Sequence, residues 1–496
     1  MRRPVFLTLS LVFVCAVFVC VALVGEAAER RPNVIVFLID DLGWTDASCY
    51  GSDLYETPNI DRLAAGGIRF TDAYAACTVC SPTRAAMMTG MYPARLNVTD
   101  WINGMWEHLS AERQSQHPLM PPQWTPHLEQ RHTTLAEALQ VAGYKTAHVG
   151  KWHLTPRSDD GSVLEPYYPQ NQGFDVNIAG NQWGAPGSYY WPYRRARQQT
   201  DIGARVANFP NSEKTKDQYL TDMLTTEAES IIERWQHEPF FLYFPHYAVH
   251  APIQGRQDLT AKYAAKITPQ HKHRNAEYAA MVESVDHSVG RVLDTLQRLD
   301  ILDNTLIIYT SDNGGLVRIA NGPTNNTPLR AGKGSPYEGG VRIPTIVSWP
   351  GVTAAGSESA EPVITCDFYP TILEITGAGG DAAHNANVDG MSLVPILKHP
   401  DASLGREAIY WHYPHYHAGG STPYSAVRAG PWRLVEFYED QHVELFNLAK
   451  DISEKHDLSK SNGDKTAELT AMLHRWREQV QAQPLRANPN FKSQPN

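Results

Sequence analysis

Several short stretches of this 496-residue chain carry side chains suited to holding a metal ion and an anion. The first is Cys80-Ser81-Pro82-Thr83-Arg84. Pro82 fits the first turn of a helix, where a missing N–H costs little. Ala85 to Met88 are good helix formers, and Gly90 suits the closing cap. Cys80 is therefore expected just before a helix N-terminus, where free N–H groups and the helix dipole favour negative charge. Arg84 can fold back toward the same point. Asp40-Asp41 and Asp312-Asn313 form a second group. Two adjacent carboxylates leaving a buried strand repel one another unless a cation lies between them. Asp-Asn-Gly-Gly alone reads as a tight turn. Placed beside Asp40 and Asp41 at one sheet edge, it completes a set of hard oxygen donors of the kind calcium or magnesium prefers. Lys151 and His153, His250, and Lys333 between Gly332 and Gly334 make up the third group. Each is ordinary loop content by itself. Together they describe a cationic pocket.

Strands must deliver these residues to a common edge. Asn33 to Ile39 is a continuous apolar, β-branched run that reads as a buried parallel strand ending at Asp40. Tyr144 to Val149 leads to Lys151 and His153, Pro239 to Tyr247 to His250, and Thr305 to Thr310 to Asp312. Helices are expected at Pro58 to Gly66, Thr133 to Ala142 with Thr133 as cap, Asp217 to Trp235, Asn275 to Leu299 and Asp367 to Thr376. Ile68 to Ala73 and Arg342 to Trp349 read as further strands. This alternation predicts an α/β fold with ligands gathered at the strands' carboxyl ends. Trp101 to His132 reads as an elaborated loop. The alternation fades near residue 400. Ala408 to Tyr413, Tyr424 to Arg428 and Trp432 to Phe437 then predict a small antiparallel sheet, followed by a helix over about Thr466 to Gln481.

The expected organisation is a signal peptide over 1–28, a catalytic domain over 29–400, a C-terminal α+β subdomain over 401–485 and a mobile polar tail over 486–496. Met1-Arg2-Arg3 precedes an apolar run from Val5 to Val24, and small residues follow at Ala27 and Ala28. That pattern predicts export to a periplasmic, secreted or lumenal location, with an uncleaved membrane anchor as the alternative. A formal net charge of −10 argues against nucleic acid as a partner. Cys49, Cys77, Cys80 and Cys366 are too few for a disulfide framework. Cys77 and Cys80 form a Cys-x-x-Cys, but there is no second pair to complete a zinc site and no thioredoxin-like flank.

Asp40-Asp41, Cys80-x-Pro82-x-Arg84, Gly150-Lys151-Trp152-His153, Asp312-Asn313-Gly314-Gly315 and Gly332-Lys333-Gly334 occur in the order found in sulfatases. With His250-Ala251-Pro252 and the late Glu444 to Leu448 segment, the chain resembles formylglycine-dependent sulfatases of the alkaline phosphatase-like superfamily from about Asn33 to Leu458. Thr83 stands where Ser or Ala is more usual. The resemblance implies a large mixed, mostly parallel central sheet flanked by helices, with a smaller antiparallel C-terminal subdomain. It implies that Cys80 is oxidised to Cα-formylglycine by a formylglycine-generating enzyme, and that the hydrated aldehyde attacks a sulfate ester. Asp40, Asp41, Asp312, Asn313 and residue 80 would hold calcium, with magnesium as runner-up. Arg84 would hold the nucleophile, Lys151 and Lys333 would neutralise the sulfate oxygens, and His250 would protonate the departing alcohol. His153 would take the second hydroxyl proton and so expel sulfate.

A phosphodiesterase or phosphonate hydrolase on the same scaffold is the rival reading, as is a sulfated-glycan binder if Cys80 stays unmodified. A sulfated carbohydrate is the expected substrate. Trp183, Tyr189, Tyr190, Trp191 and Tyr193, and the Trp411 to His417 run, are candidate platforms for sugar rings, and core packing explains them equally well. Arg194, Arg195 and Arg197 could meet further anionic groups, though a solvated face explains them better.

Overall fold

The computed structural model describes residues 31–156, 165–194, 206, 209–210, 215, 217–318 and 322–492. The N-terminal apolar run lies outside the described residues. Strand β1 (Asn33–Ile39) is wholly buried in the middle of an eight-stranded sheet. It pairs in parallel with β5 (Phe240–Pro245) on one side and β6 (Thr305–Ser311) on the other. Beyond β5 come β3 (Lys145–Val149) and β4 (Val176–Ile178), both parallel. Beyond β6, β7 (Thr345–Ser348) runs antiparallel to its neighbours β6 and β2 (Ile68–Phe70), and β8 (Ser357–Ser359) closes the edge parallel to β2. The order is β8-β2-β7-β6-β1-β5-β3-β4. This is the expected mixed, mostly parallel sheet.

The two-residue period of β1 makes both faces apolar. Ile35, Phe37 and Ile39 pack with helices α1 (Pro58–Gly66), α4 (Leu220–Trp235) and α5 (Ala276–Arg298). Val34, Val36 and Leu38 pack with α2 (Cys80–Thr89), α3 (Leu135–Val141) and α6 (Phe368–Thr376). Asn275 caps α5 by accepting the Tyr278 N–H at 3.0 Å. The cap of α3 is Thr134, one residue later than the sequence suggested, because Glu137 completes a capping box with it.

Two expected strands are shorter than read. After Phe70 the chain breaks, and Ala73–Tyr74 pairs instead with Val363–Ile364. Arg342 leaves its strand to bind Asp72 and Glu338.

The C-terminal sheet has strands β9 (Ile409–Tyr413), β10 (Tyr424–Ala429), β11 (Trp432–Phe437) and β12 (Val443–Asn447), all antiparallel. Helix α7 (Gly463–Gln479) covers one face. The core of this sheet is continuous with Cys77, Val79 and Ala86, so it braces the Cys80 segment directly. The tail departs from expectation. Arg486–Ala487 pairs with Leu119–Met120, and Asn488 donates to the Gln114 and His117 carbonyls. No helix among the described residues is long and apolar enough to cross a membrane.

Candidate active site

Helix α2 begins at Cys80 itself, with Val79 extended at the cap position. Gly90 closes it at φ 72°, its N–H donating to Ala86 O at 2.8 Å. Thr83 Oγ1 accepts from the Cys77 N–H at 3.1 Å, so the hydroxyl ties the preceding loop to the helix. Cys80 is buried. Burial pushes its thiol up, against the pull of Lys151 and Lys333. His153 Nδ1 lies 3.4 Å from Cys80 Sγ. The other ring nitrogen, Nε2, meets the Ile102 carbonyl, which can only accept. Nε2 therefore carries the proton, and Nδ1 turns a bare lone pair toward residue 80. Burial, with Lys151 beside it, holds this imidazole well below its ordinary value.

Register brings the acidic residues together. Ile39 pairs with Ser311, so Asp40-Asp41 and Asp312-Asn313 leave adjacent strand ends side by side. Asp41 takes a left-handed φ of 64° there, a conformation rare outside glycine and concentrated at functional sites. Arg84 clamps Asp312 through Nε and a terminal nitrogen at 2.9 and 2.7 Å, and donates to the Lys151 carbonyl at 2.7 Å. Arg84 thus directs its hydrogen bonds to the Asp312 carboxylate and the Lys151 backbone. Lys151 Nζ is 2.6 Å from Asp40, and Lys333 Nζ 2.5 Å from Asp41. The cations are thus placed on the carboxylates rather than standing free.

Burial pushes Asp40 up to about 8 despite Lys151. Burial also resists charge on Asp41, but Lys333, then His250 and Lys151, hold its carboxyl below the usual range. His250 Nε2 stands 3.7 Å from Asp41, while Nδ1 donates to the Ala251 carbonyl at 2.8 Å.

Asp40 Oδ1, Asp41 Oδ2 and Asn313 Oδ1 are buried without a hydrogen-bond partner. Each such acceptor costs about 1–3 kcal/mol. Asp40, Asp41 and His250 offer ligand atoms within 4.8 Å of one another. A hard divalent cation fits these donors, since it would meet carboxylate oxygens on Asp40 and Asp41 that the protein leaves unsatisfied. Even with all three carboxyls ionised, Arg84, Lys151 and Lys333 balance Asp40, Asp41 and Asp312 in charge. A divalent ion added there leaves the site positive, matched to an anionic substrate and an anionic nucleophile.

A cavity of 420 Å³ opens over Cys80, His153, His250 and Lys333. Its outer wall includes Trp101, Asn103, Met105, Trp183, Leu316 and His417. Of the proposed aromatic platforms, Trp183 and His417 reach it. Tyr189, Tyr193, Trp411 and Tyr413 are buried in the core instead; Tyr189 donates to Tyr247 O and Trp411 to Ala75 O. Tyr190 and Trp191 are half-buried, and Arg194 is exposed. Arg195 and Arg197 lie outside the described residues. Sequence reasoning missed Trp101 to Met105. The available signal was position, because a long loop between the Cys80 helix and the next strand must cross the strand ends.

The sulfatase family profile matches residues 32–378. The chain belongs to the sulfatase family. A profile for the N-sulphoglucosamine sulphohydrolase C-terminal region matches 332–483, so Lys333 falls within both. A sulfatase of Formosa agariphila is 35% identical over 503 residues, covering 90% of this chain and 88% of its own. Human N-acetylgalactosamine-6-sulfatase is 34% identical, covering 75% of this chain and 67% of its own. The crystal structure of Ps i-CgsB in complex with k-i-k-neocarrahexaose superposes with a TM-score of 0.73 at 30% identity, covering 90% and 93%. This sulfatase is a sulfuric ester hydrolase. Its four described cysteines are all unpaired.

Proposed function

We propose that this sulfatase releases inorganic sulfate from sulfated saccharides after Cys80 is converted to formylglycine, with calcium held by Asp40, Asp41, Asp312, Asn313 and residue 80. Magnesium is the alternative ion. The observation that carries the reading is the trio of orphaned buried oxygens on Asp40, Asp41 and Asn313, set among three cations beside residue 80. The names of the human relative and of the carrageenan-oligosaccharide complex support a saccharide substrate. When present, the two groups supply a hydrated-aldehyde hydroxyl as nucleophile and a hard positive charge next to it.

The chain's own residues do the rest. Arg84 fixes Asp312 in place and offsets its charge. Lys151 and Lys333 turn positive charge toward the ester's sulfonyl oxygens, where charge grows in the transition state. Cys80 Sγ marks the position of the converted residue's oxygens. His153 Nδ1, 3.4 Å away, is placed to take a proton there. His250 borders the cavity and is assigned the proton delivered to the departing alcohol. A formylglycine-generating enzyme acts on Cys80 beforehand, and the Val5 to Val24 run directs export.

The test is sulfate release from N-acetylgalactosamine 6-sulfate and carrageenan oligosaccharides, run beside matched phosphate esters. Chelation should abolish release, and calcium should restore it better than zinc. Full activity in metal-free protein rejects the cation site. Faster phosphate than sulfate release moves the reading to phosphoryl chemistry.

A further inference from the structure

His417 reaches the cavity from outside the central sheet, on the connection between β9 and β10. Its backbone is fixed by a bridge to Ser421, with His417 N donating to Ser421 O at 3.0 Å. His417 is only 7% exposed, and its ring rests on the Gly334 backbone. A Cβ at Gly334 would stand 1.7 Å from His417 Nδ1, so the glycine after Lys333 is what admits the ring. The Gly419 N–H donates to Nδ1 at 3.0 Å. Nδ1 is thus an acceptor, and in the neutral ring Nε2 must carry the proton. Burial, with Lys333 nearby, pushes this imidazole down to about 4. No protein acceptor among the described residues takes the Nε2 proton.

The rest of the outer wall is dominated by Trp101, Met105, Trp183 and Leu316. Among the described lining residues Lys333 is the one lysine or arginine, and its amine already sits on Asp41.

We infer that His417 selects the substrate: its Nε2–H donates to an uncharged hydroxyl or ring oxygen, and the cavity takes a sugar unit whose only anionic group is the sulfate being removed. This inference rests on the proposed sulfatase reaction and names its substrate class. Among the described residues that line the cavity, a second sulfate or a carboxylate would meet indole and thioether surface and no cation beyond Lys333, and would lose its water there. A neutral oxygen satisfies the fixed donor, and the indole faces suit the apolar face of a sugar ring.

The test is calorimetric binding to the Cys80→Ala variant, which cannot turn over. Galactose 6-sulfate, N-acetylgalactosamine 6-sulfate, N-acetylgalactosamine 4,6-disulfate and inorganic sulfate are the probes. At least one monosulfated sugar should bind, and the disulfate about ten-fold or more weaker than the 6-sulfate. Adding His417→Ala should weaken the monosulfated sugar about ten-fold and inorganic sulfate by less, because sulfate has no sugar oxygen to lose. His417→Gln, which keeps a donor, should recover part of the loss. Equal or tighter binding of the disulfate overturns the inference, as does no binding of either monosulfated sugar. Equal losses for sugar and inorganic sulfate also overturn it, since His417 would then act only by supporting Lys333. If unmutated enzyme releases sulfate while these patterns fail, the inference falls and the proposed reaction stands. If it releases none, the proposed reaction itself falls.

Discussion

The two ends of the cavity are built differently. At the inner end Asp40, Asp41, Asp312 and Asn313 are fully buried and leave the ends of central strands. Arg84 comes from a helix packed on the same sheet. At the outer end Trp101 and Met105, Trp183, and His417 come from three loops far apart in the chain. Rigid strand ends hold charges within the small tolerances that bond-making chemistry needs, while loops can change without disturbing them. On the proposed function, reaction belongs to one end and choice of substrate to the other. His417 is the link, because it rests on the backbone next to Lys333.

The largest effect is expected at the inner end. Asp312→Ala removes a proposed metal ligand and leaves Arg84 buried without its main partner. Sulfate release should fall about 10³-fold on every substrate, and stability should drop by about 3–5 kcal/mol. Near-normal turnover with normal metal content would break the assignment of reaction to this end.

His250→Ala sits at the junction of the two ends and should depend on the leaving group. Sugar sulfates should slow by about 10²-fold or more, and 4-nitrophenyl sulfate by clearly less, because nitrophenolate departs without protonation. Parallel losses on both would make His250 a binding or metal-side residue, a role its 3.7 Å approach to Asp41 also allows.

The smallest effect on catalysis belongs to the outer wall. Trp183→Ala should raise KM for a saccharide about ten-fold with little change in kcat. Trp411→Ala, from the same set of sequence candidates, should leave KM alone and instead destabilise the fold by about 3–5 kcal/mol, because Trp411 is core. Steady-state kinetics beside thermal melts distinguish the two. A kcat loss in Trp183→Ala as large as in His250→Ala would erase the proposed division of labour.

The same contrast explains what the sequence disclosed. Asn33–Ile39 and Pro58–Gly66 were legible to the residue, because a continuous apolar run and a Pro-started, Gly-ended helix leave few alternatives. The acidic pairs were legible because adjacent carboxylates after a buried strand have few structural uses. The cap at Thr134 was misplaced because Thr133 and Thr134 are equivalent until Glu137 selects one. Burial decided the aromatics. Tyr189 and Trp183 lie six residues apart in similar composition, yet Tyr189 is core and Trp183 lines the cavity. Periodicity cannot separate them in an irregular segment. Strand β12 escaped notice as a strand because it is short and its sheet partner is β11, a tertiary fact. The docking of the tail through Arg486–Ala487 depends on Leu119–Met120, far away in the chain, and has no local signature.

The central claim is that a converted residue 80, held at the buried charged end, carries out sulfate ester hydrolysis. It is tested most directly by measuring sulfate release against the fraction of Cys80 converted, with peptide mass analysis on the same preparations. Preparations made with and without a formylglycine-generating enzyme supply the range. Turnover should rise in proportion to conversion and fall to background in protein whose Cys80 is wholly unconverted. Comparable turnover from wholly unconverted protein would contradict the claim.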